Sequence, residues 1–401
     1  MKSVHLLQLG LAVLFCFNGC RGQAVQDTPD SSSHVSKEIG GGCEGCELMY
    51  VGLPAELTAT HTSMGWGQGK HKLIVTGRVF QLDGKTPAPN TIIYYWHTDE
   101  QGLYSSDQHV PQEAQRHGKL RGWVKSDSNG NYTIQTSRPA PYPNENIPQH
   151  IHLSIKEKNR KEYYADLYFD DDPLYIAHRK KYGRYDRAGT ELLRVLKNGT
   201  YEVAEHNIIL GLNIPNYSIT PLTDITSGLN IGEDQPSFTP FHAFGPDKGT
   251  TTCPVCKYGR YHGILYFVGD RPQWDEIKQW LLFLETESIK REKYLKAYFV
   301  YGNANHESHQ ELRMQLEKLG TELKLQKVAL TFVPDFSDAK SEVNLNKINP
   351  DASNTFIIYR YRTIVDKFVN LQPTEENFQL ISEVLNSTQS ESFEWQEPAH
   401  H

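Results

Sequence analysis

The sequence predicts a multidomain protein with an antiparallel β-sandwich in its first half and an α/β layer domain in its second. Short β-rich runs separated by Asp-Gly and Asn-Gly turns fill residues 72–213, a pattern typical of antiparallel sandwiches. After residue 250, apolar strands alternate with segments that carry an apolar stripe at helical spacing, which indicates an α/β fold. A length of 401 residues also favours more than one domain.

In order along the sandwich, we predict strands at residues 72–81, 90–96, 120–125, 131–136, 150–155, 163–169 and 201–212. The polar, Gly/Ser-rich residues 21–42 predict a flexible tether before this domain. The predicted divisions are a signal peptide at 1–20, the tether at 21–42, the sandwich at 43–213, a linker at 214–250, the α/β domain at 251–390 and a tail at 391–401.

The α/β domain is predicted to have strands at residues 263–268, 297–301, 328–333, 355–361 and 364–369. Three helices are predicted from apolar residues that recur three or four positions apart. Their stripes are Trp274, Ile277, Leu281 and Leu284; Leu312, Leu316 and Leu319; and Phe378, Ile381 and Leu385. Thr374 precedes the last helix at the position of an N-cap.

Charge and composition exclude one class of function. The net charge is −7 with no block of like charges, so we expect no nucleic-acid partner. Hydrophobic residues make up 38% and aromatic residues 11% of the chain. The shortage is therefore in aliphatic residues, as in a loop-rich β protein rather than a disordered one.

The amino terminus predicts an export signal. The apolar run at residues 6–17 is too short to span a bilayer and is followed by small and polar residues. Residues 17–20 resemble a loose bacterial lipoprotein signal, in which Cys20 would be lipidated and tether the protein to a membrane. We therefore expect a periplasmic, outer-membrane-anchored or extracellular protein, and the sequence leaves lipidation of Cys20 open.

Four further cysteines form two Cys-x-x-Cys pairs, Cys43/Cys46 and Cys253/Cys256. In an exported chain, disulfides are the default expectation for these cysteines. The alternative is a single Cys₄ zinc site built from both pairs. That site would need segments about 200 residues apart to meet, and we rank it lower.

One group of residues suggests metal chemistry. His150 and His152 flank Ile151, and the period of two along a strand places both imidazoles on one face. Tyr104 and Tyr142 lie upstream. Phenolates are hard, anionic oxygen donors that favour Fe(III). Considered singly, each tyrosine or histidine is more often a packing residue than a ligand.

The stretch from Leu73 to about Pro173 resembles the intradiol ring-cleavage dioxygenases, such as catechol and protocatechuate dioxygenases. Six elements of that family's pattern occur in order. They are Trp96, Gly102-Leu103-Tyr104, Arg121-Gly122, Asp127 to Gly130-Asn131-Tyr132, Pro139 to Tyr142, and His150-Ile151-His152. Each element is weak alone, but the ordered set over about a hundred residues is moderately specific.

The resemblance implies a non-haem Fe(III) held by Tyr104, Tyr142, His150 and His152. It also implies a small aromatic diol and O₂ as substrates, ring cleavage between the two hydroxylated carbons, and Tyr142 as the base that accepts a substrate proton. Such an enzyme belongs to aromatic compound catabolism. Ile147 stands where the family usually carries an arginine. The alternative is therefore a non-catalytic binding module that keeps the scaffold.

The order of strands and helices after the linker resembles a thioredoxin fold. Cys253-Pro254-Val255-Cys256 precedes the first predicted strand of this domain, whereas the redox pair of active thioredoxins follows it. Asp270-Arg271-Pro272 stands at the usual position, and Asn354 replaces the usual proline. We therefore predict a structural role, as a local disulfide or as buried thiols, rather than a thiol oxidoreductase centre. The sequence leaves the oligomeric state open.

Overall fold

The first half of the chain folds into short strands joined by turns and short helices. The computed structural model describes residues 39–43, 45–217, 226–302 and 308–398. The strands here are β1 (Thr60–Thr62), β2 (Lys72–Phe80), β3 (Ile92–Trp96), β4 (Arg121–Lys125), β5 (Asn131–Ser137), β6 (His150–Lys156), β7 (Tyr163–Phe169), β8 (Leu192–Leu193), β9 (Val195–Asn198), β10 (Tyr201–Glu205) and β11 (Ile208–Ile209). The helices are α1 (Gly65–Gln68), α2 (Tyr175–Tyr182) and short 3₁₀ turns at Ile39–Gly41, Cys46–Tyr50 and Gln112–His117.

These strands form two sheets. One has the order β1-β5-β2-β10-β9, with β11 also paired to β2, and the other has the order β4-β3-β6-β7-β8. One core cluster takes apolar side chains from both sheets, including Leu73 and Val75 of β2, Ile93 of β3 and Leu153 of β6. Every other residue of β6 and β7 points into this core, which is the physical basis of the strand pattern in the sequence.

The prediction of a β-rich first half is confirmed, but the prediction of purely antiparallel sheets is wrong. β2 pairs antiparallel with β5 and parallel with β10, and β7 pairs parallel with β8. Parallel neighbours need a long connection. Such a connection exists because the chain leaves β2, builds the second sheet and returns more than a hundred residues later as β10. Both sheets are therefore mixed.

The second half is built on a third, six-stranded sheet. Its elements are β12 (Phe241–Phe244), α3 (Pro254–Tyr258), β13 (His262–Val268), α4 (Trp274–Arg291), β14 (Leu295–Gly302), α5 (His309–Glu322), β15 (Ala329–Val333), β16 (Thr355–Arg360), β17 (Thr363–Val369) and α6 (Glu375–Ser387), with 3₁₀ turns at Glu292–Tyr294, Val343–Asn346 and Glu391–Glu394. The strand order is β12-β15-β14-β13-β16-β17. Helices α4, α5 and α6 share one apolar cluster with one face of this sheet.

The helix ends follow local rules. Ser308 begins α5 with a capping box, in which its hydroxyl accepts from the Glu311 amide and the Glu311 carboxylate accepts from the Ser308 amide. Thr374 accepts from the Asn377 amide at the start of α6, as the sequence indicates. No helix in the described part of the chain is long and apolar enough to cross a membrane.

The described residues pack as one compact unit. The predicted linker and the carboxyl-terminal segment both contribute to this packing. Within the predicted linker, Phe241–Phe244 forms strand β12 and Phe238 is fully buried. Near the carboxyl end, Phe393 packs with Leu196 and Tyr361. The domain boundaries and the thioredoxin-like assignment stay predictions. The predicted signal peptide, Cys20 and nearly all of the tether lie outside the described residues.

Candidate active site

The outer face of the β4-β3-β6-β7-β8 sheet carries the candidate site. Ile151 and Leu153 of β6 point into the sandwich core, so His150 and His152 project from the opposite face. Trp96 of β3 is the cross-strand neighbour of His152, and the two rings stack with centroids 4.9 Å apart. The strand pattern thus presents both imidazoles on one surface.

Two loops bring tyrosines to this surface. Tyr104 lies in the connection from β3 to β4, and Tyr142 lies in the connection from β5 to β6. The loops touch at Gly102, which has φ of 76° and where a Cβ atom would lie 2.0 Å from the Pro141 carbonyl oxygen. The Thr98 hydroxyl also donates to the Ala140 carbonyl at 2.7 Å. Glycine is therefore required where the two loops meet.

The four predicted ligand side chains converge on one point. The phenolic oxygens of Tyr104 and Tyr142 are 2.6 Å apart. The Tyr142 oxygen lies 3.2 Å from His150 Nε2, and the Tyr104 oxygen lies 3.1 Å from His152 Nε2. The two Nε2 atoms are 3.0 Å apart. Two oxygen and two nitrogen atoms thus form a closed ring of short contacts.

Hydrogen bonds behind the imidazoles fix which nitrogen faces the centre. His150 Nδ1 donates to the Pro148 carbonyl at 2.7 Å, and His152 Nδ1 donates to the Asp166 carboxylate at 2.7 Å. Each neutral imidazole therefore directs the lone pair of Nε2 at the centre. The ring of four contacts then has only the two phenolic protons to share, so it has more acceptors than donors.

The electrostatics of the site favour a neutral His150 imidazole. Burial and the neighbouring His152 lower the pKa of His150 to about 4. Burial and the hydrogen bond to Tyr142 raise the pKa of Tyr104 above its usual range, and burial also raises the pKa of Tyr142. Burial opposes ionisation of Asp166, but the hydrogen bond from His152 and the charge interactions with His152, His150 and Arg187 together hold the pKa of that carboxyl below its usual value.

The donor set fits a hard cation. In the part of the chain that the structure describes, no group of three or more His, Cys, Asp or Glu side chains could hold a metal ion. A metal centre here would therefore need the tyrosine oxygens. Two phenolates with two imidazoles provide negative charge and hard oxygen donors, which suit Fe(III). A cation at the centre would also relieve the excess of acceptors in the ring.

A pocket of about 450 Å³ opens beside the four side chains. Its lining comprises Cys43, Trp96, Tyr104, Arg116, His117, Tyr142, His152, Tyr164 and Asp166. Its size suits a single aromatic ring with small substituents.

Several lining residues were missed from the sequence. Asp166 could have been recognised from the sequence, because it is the one charged residue within strand β7 and lies on the outward-facing side of that strand. Arg116 and His117 could not, because they lie in an irregular connection that shows no periodicity. His117 stacks on Trp96 with ring centroids 4.1 Å apart, and Arg116 pairs with Glu47. Ile147 is not among the lining residues.

The cysteine pairs lie in different surroundings. Cys43 and Cys46 are joined, and Cys43 is part of the pocket wall. Cys253 and Cys256 are joined at the start of α3, on the side of the third sheet opposite helices α4 to α6. With each pair bonded to itself, no cysteine thiolate of these pairs is left for the Cys₄ zinc site.

The fold and the site together define a β-rich domain of two mixed sheets with a tyrosine- and histidine-lined pocket, and part of this domain is similar in sequence to a known family. Residues 49–182 match the sequence model of the family described as dioxygenase. Catechol 1,2-dioxygenase of Acinetobacter baylyi is 28% identical over 142 residues, covering 31% of this chain and 45% of the relative. Residues 49–182 are thus similar to the carboxy-terminal domain of intradiol dioxygenases.

Two further similarities complete the comparison. Chlorocatechol 1,2-dioxygenase of a Pseudomonas species is 30% identical over 118 residues, covering 25% of this chain and 44% of the relative. The solved 3-chlorocatechol 1,2-dioxygenase of Rhodococcus opacus is 21% identical and covers 38% of this chain and 66% of its own, with a TM-score of 0.32. The chain spans less than half the length of these curated relatives.

Proposed function

We propose that this protein is an exported, non-haem Fe(III) dioxygenase that cleaves a catechol-like ring between its two hydroxylated carbons with O₂. The observation that carries the proposal is the convergence of Tyr104, Tyr142, His150 and His152, whose donor atoms lie 2.6 to 3.2 Å from their neighbours. The similarity of residues 49–182 to catechol dioxygenases supports the same chemistry.

In this proposal, the four side chains would hold the ion, which would supply Lewis-acid activation of the diol toward O₂. Side chains of the protein provide proton transfer, the pocket lining and a positive charge. Tyr142 lies at the pocket edge and accepts a proton from a substrate hydroxyl at its phenolic oxygen. Trp96 and His117, whose rings stack on each other, contribute to the pocket lining. Arg116 places a positive charge at the pocket lining.

The overall reaction adds both atoms of O₂ to the ring carbons and opens the bond between them, which gives a dicarboxylic acid. An aromatic diol and O₂ are therefore the proposed partners. The pocket volume of about 450 Å³ has room for a single ring with small substituents.

The second candidate function is a non-catalytic binding module on the same scaffold. Ile147 favours it, since an arginine at that position stabilises negative charge on the bound ring in the family that the sequence resembles. In this chain the pocket arginine is Arg116, and its guanidinium is already paired with Glu47. A binding module would hold a diol in the same pocket without consuming O₂.

Oxygen uptake separates the two candidates. Iron-reconstituted protein is mixed with catechol and with substituted catechols in an oxygen electrode, and products are analysed by mass spectrometry under ¹⁸O₂. The proposal predicts O₂ consumption and a ring-opened diacid that carries both ¹⁸O atoms. Iron-loaded protein that binds catechols but consumes no O₂ with any of them would favour the binding module.

For the second half of the chain, we propose a thioredoxin-like domain whose Cys253–Cys256 disulfide is structural. The order β13-α4-β14-α5-β15 supports the fold assignment. The position of the disulfide before β13 rather than after it supports a structural role. Export also stays part of the proposal, with support from two local disulfides, which persist in oxidising compartments. Lipidation of Cys20 and the resulting membrane tether are tested by mass spectrometry of the mature amino terminus.

A further inference from the structure

The two imidazoles of the candidate site have different partners behind them. His150 Nδ1 donates to a neutral backbone carbonyl, that of Pro148, at 2.7 Å. His152 Nδ1 donates at the same distance to a carboxylate oxygen of Asp166. The distances are equal, so the difference between the two histidines is one of charge.

The sheet itself builds the contact between His152 and Asp166. In the antiparallel pair of β6 and β7, the two residues lie directly opposite each other. Directly opposite residues in such a pair place their Cβ atoms about 4.5–5.5 Å apart on one face. Tyr163, Ala165 and Leu167 of β7 point into the core, so Asp166 must point to the site. The register of two strands, rather than a loop, therefore holds the carboxylate in place.

Arg187 is the arginine whose charge acts on this carboxylate, but its guanidinium is engaged elsewhere. Arg187 lies close enough to help lower the pKa of Asp166. Its guanidinium, however, donates to the backbone carbonyls of Tyr164 at 2.8 Å and Gly40 at 3.1 Å. Among the contacts of the described residues, the hydrogen bond from His152 is the one that engages Asp166 directly.

Stacking fixes the remaining freedom of the His152 ring. Trp96 covers its face at a centroid distance of 4.9 Å and an interplanar angle of 21°. On its other side, Trp96 stacks on His117 at 4.1 Å and 3°. The hydrogen bond restrains the ring in its plane, and the indole restrains it out of the plane. His152 is therefore held at a fixed angle to the centre.

We propose that Asp166 is a positioning residue that makes His152 the stronger and more rigidly oriented nitrogen donor of the site. A carboxylate behind a ligating imidazole fixes its tautomer and raises its basicity toward the metal, and loss of such a partner typically weakens metal binding about 10–100-fold. The inference rests on the proposed function, since it assigns Asp166 a role toward the ion that His152 would hold.

The test compares the parent with Asp166→Asn, which keeps the size and one acceptor oxygen but removes the charge. Asp166→Glu restores the charge. Asp170→Asn is the control, because Asp170 lies just after β7 and pairs with Arg194 rather than with the site histidines. Iron affinity is measured by competition with a chelator. The Fe(III)/Fe(II) reduction potential is measured by spectroelectrochemistry, because a weaker donor stabilises Fe(III) less.

We expect Asp166→Asn to bind iron about 10–100-fold more weakly than the parent and to have a more positive potential. Asp166→Glu should recover part of the affinity, and Asp170→Asn should match the parent. If the parent binds iron and Asp166→Asn has the same iron affinity and the same reduction potential, this inference is wrong but the proposed function is not affected. A parent that binds no iron would overturn the proposed function, and this inference with it.

One measurement needs neither iron nor a variant. Nitrogen-15 chemical shifts of the histidine rings in the metal-free parent report the tautomer of His152. The inference predicts a proton on Nδ1, shared with Asp166, and a bare Nε2. A proton on Nε2 at neutral pH would contradict it, even if Asp166→Asn failed to fold.

Discussion

The phenolic oxygens of Tyr104 and Tyr142 lie 2.6 Å apart, although 38 residues separate them in the chain. The contact depends on two loops that meet at Gly102, where a Cβ atom would come within 2.0 Å of the Pro141 carbonyl oxygen. The site is thus assembled by a close backbone approach that glycine alone permits.

Gly102→Ala tests this dependence. The substitution should push the two loops apart, separate Tyr104 from Tyr142 and lower iron content well below that of the parent, measured by elemental analysis. Gly183→Ala is the matched control, because Gly183 also has a positive φ, of 82°, but has no atom within 4 Å of the added Cβ. Both variants carry a backbone strain of about 1–2 kcal/mol. Equal loss of iron in both would show that strain, not loop approach, is responsible.

Substitution of Tyr104 or Tyr142 should change iron binding, whereas substitution of a buried tyrosine outside the site should not. Tyr104→Phe and Tyr142→Phe should each remove one phenolate donor and shift or bleach the visible absorption band of the iron-loaded protein. Tyr142→Phe should also slow turnover, because the proposed base is lost. Tyr132→Phe is the control, because Tyr132 is fully buried, but its hydroxyl donates to the His206 carbonyl, which lies outside the site. Full iron content and unchanged colour in Tyr104→Phe would show that the ligand set is wrong.

The Cys253–Cys256 disulfide should stabilise the fold without redox activity. Closing a loop of four residues contributes about 2 kcal/mol in the chain-entropy treatment. A Cys253→Ser/Cys256→Ser variant should therefore unfold at lower temperature than the parent, as measured by calorimetry. Neither protein should reduce insulin disulfides. Reductase activity that is present in the parent and absent from the variant would contradict the structural role.

Acid should destabilise the protein partly through His206. Burial lowers the pKa of this fully buried ring to about 4, and its Nε2 donates to the Thr190 carbonyl at 2.9 Å. The unfolded chain takes up a proton near pH 6.5, whereas the folded ring stays neutral until about pH 4. Stability is therefore lost as pH falls from about 6.5 to 4, by on the order of 3 kcal/mol for this residue.

His206→Gln should flatten that part of the pH dependence, as measured by urea unfolding between pH 7.5 and 4.5. The variant starts from a lower stability at neutral pH, because a buried hydrogen-bonding ring is replaced. His71→Gln, at an exposed position, serves as the control. An unchanged slope in His206→Gln would mean that other groups account for the acid sensitivity.

Local pattern predicted the strands and helices of the interior because burial imposes a period on the sequence. The alternation of Ile151 and Leu153 with His150 and His152 marks β6, and the stripe from Trp274 to Leu284 marks α4. Strand β12 was missed, because its four residues lie in a Pro-, Thr- and Ser-rich segment that was interpreted as a linker. A strand this short shows too little alternation to be recognised from sequence.

The site was predictable in part for the same reason. The shared face of the two histidines follows from strand periodicity, while the ligand roles of both tyrosines were assigned through the resemblance to a known family. Asp166 escaped notice because its role depends on the register between β6 and β7. His117 and Arg116 reach the pocket from an irregular connection, whose path is set by its packing on Trp96 and on the segment around Glu47.

Anomalous diffraction at the iron absorption edge from crystals of iron-reconstituted protein tests the central claim most directly. The account predicts one strong anomalous peak enclosed by the phenolic oxygens of Tyr104 and Tyr142 and by Nε2 of His150 and His152. A fully iron-loaded crystal whose anomalous peak lies elsewhere, or a protein that takes up no iron at all, would contradict it.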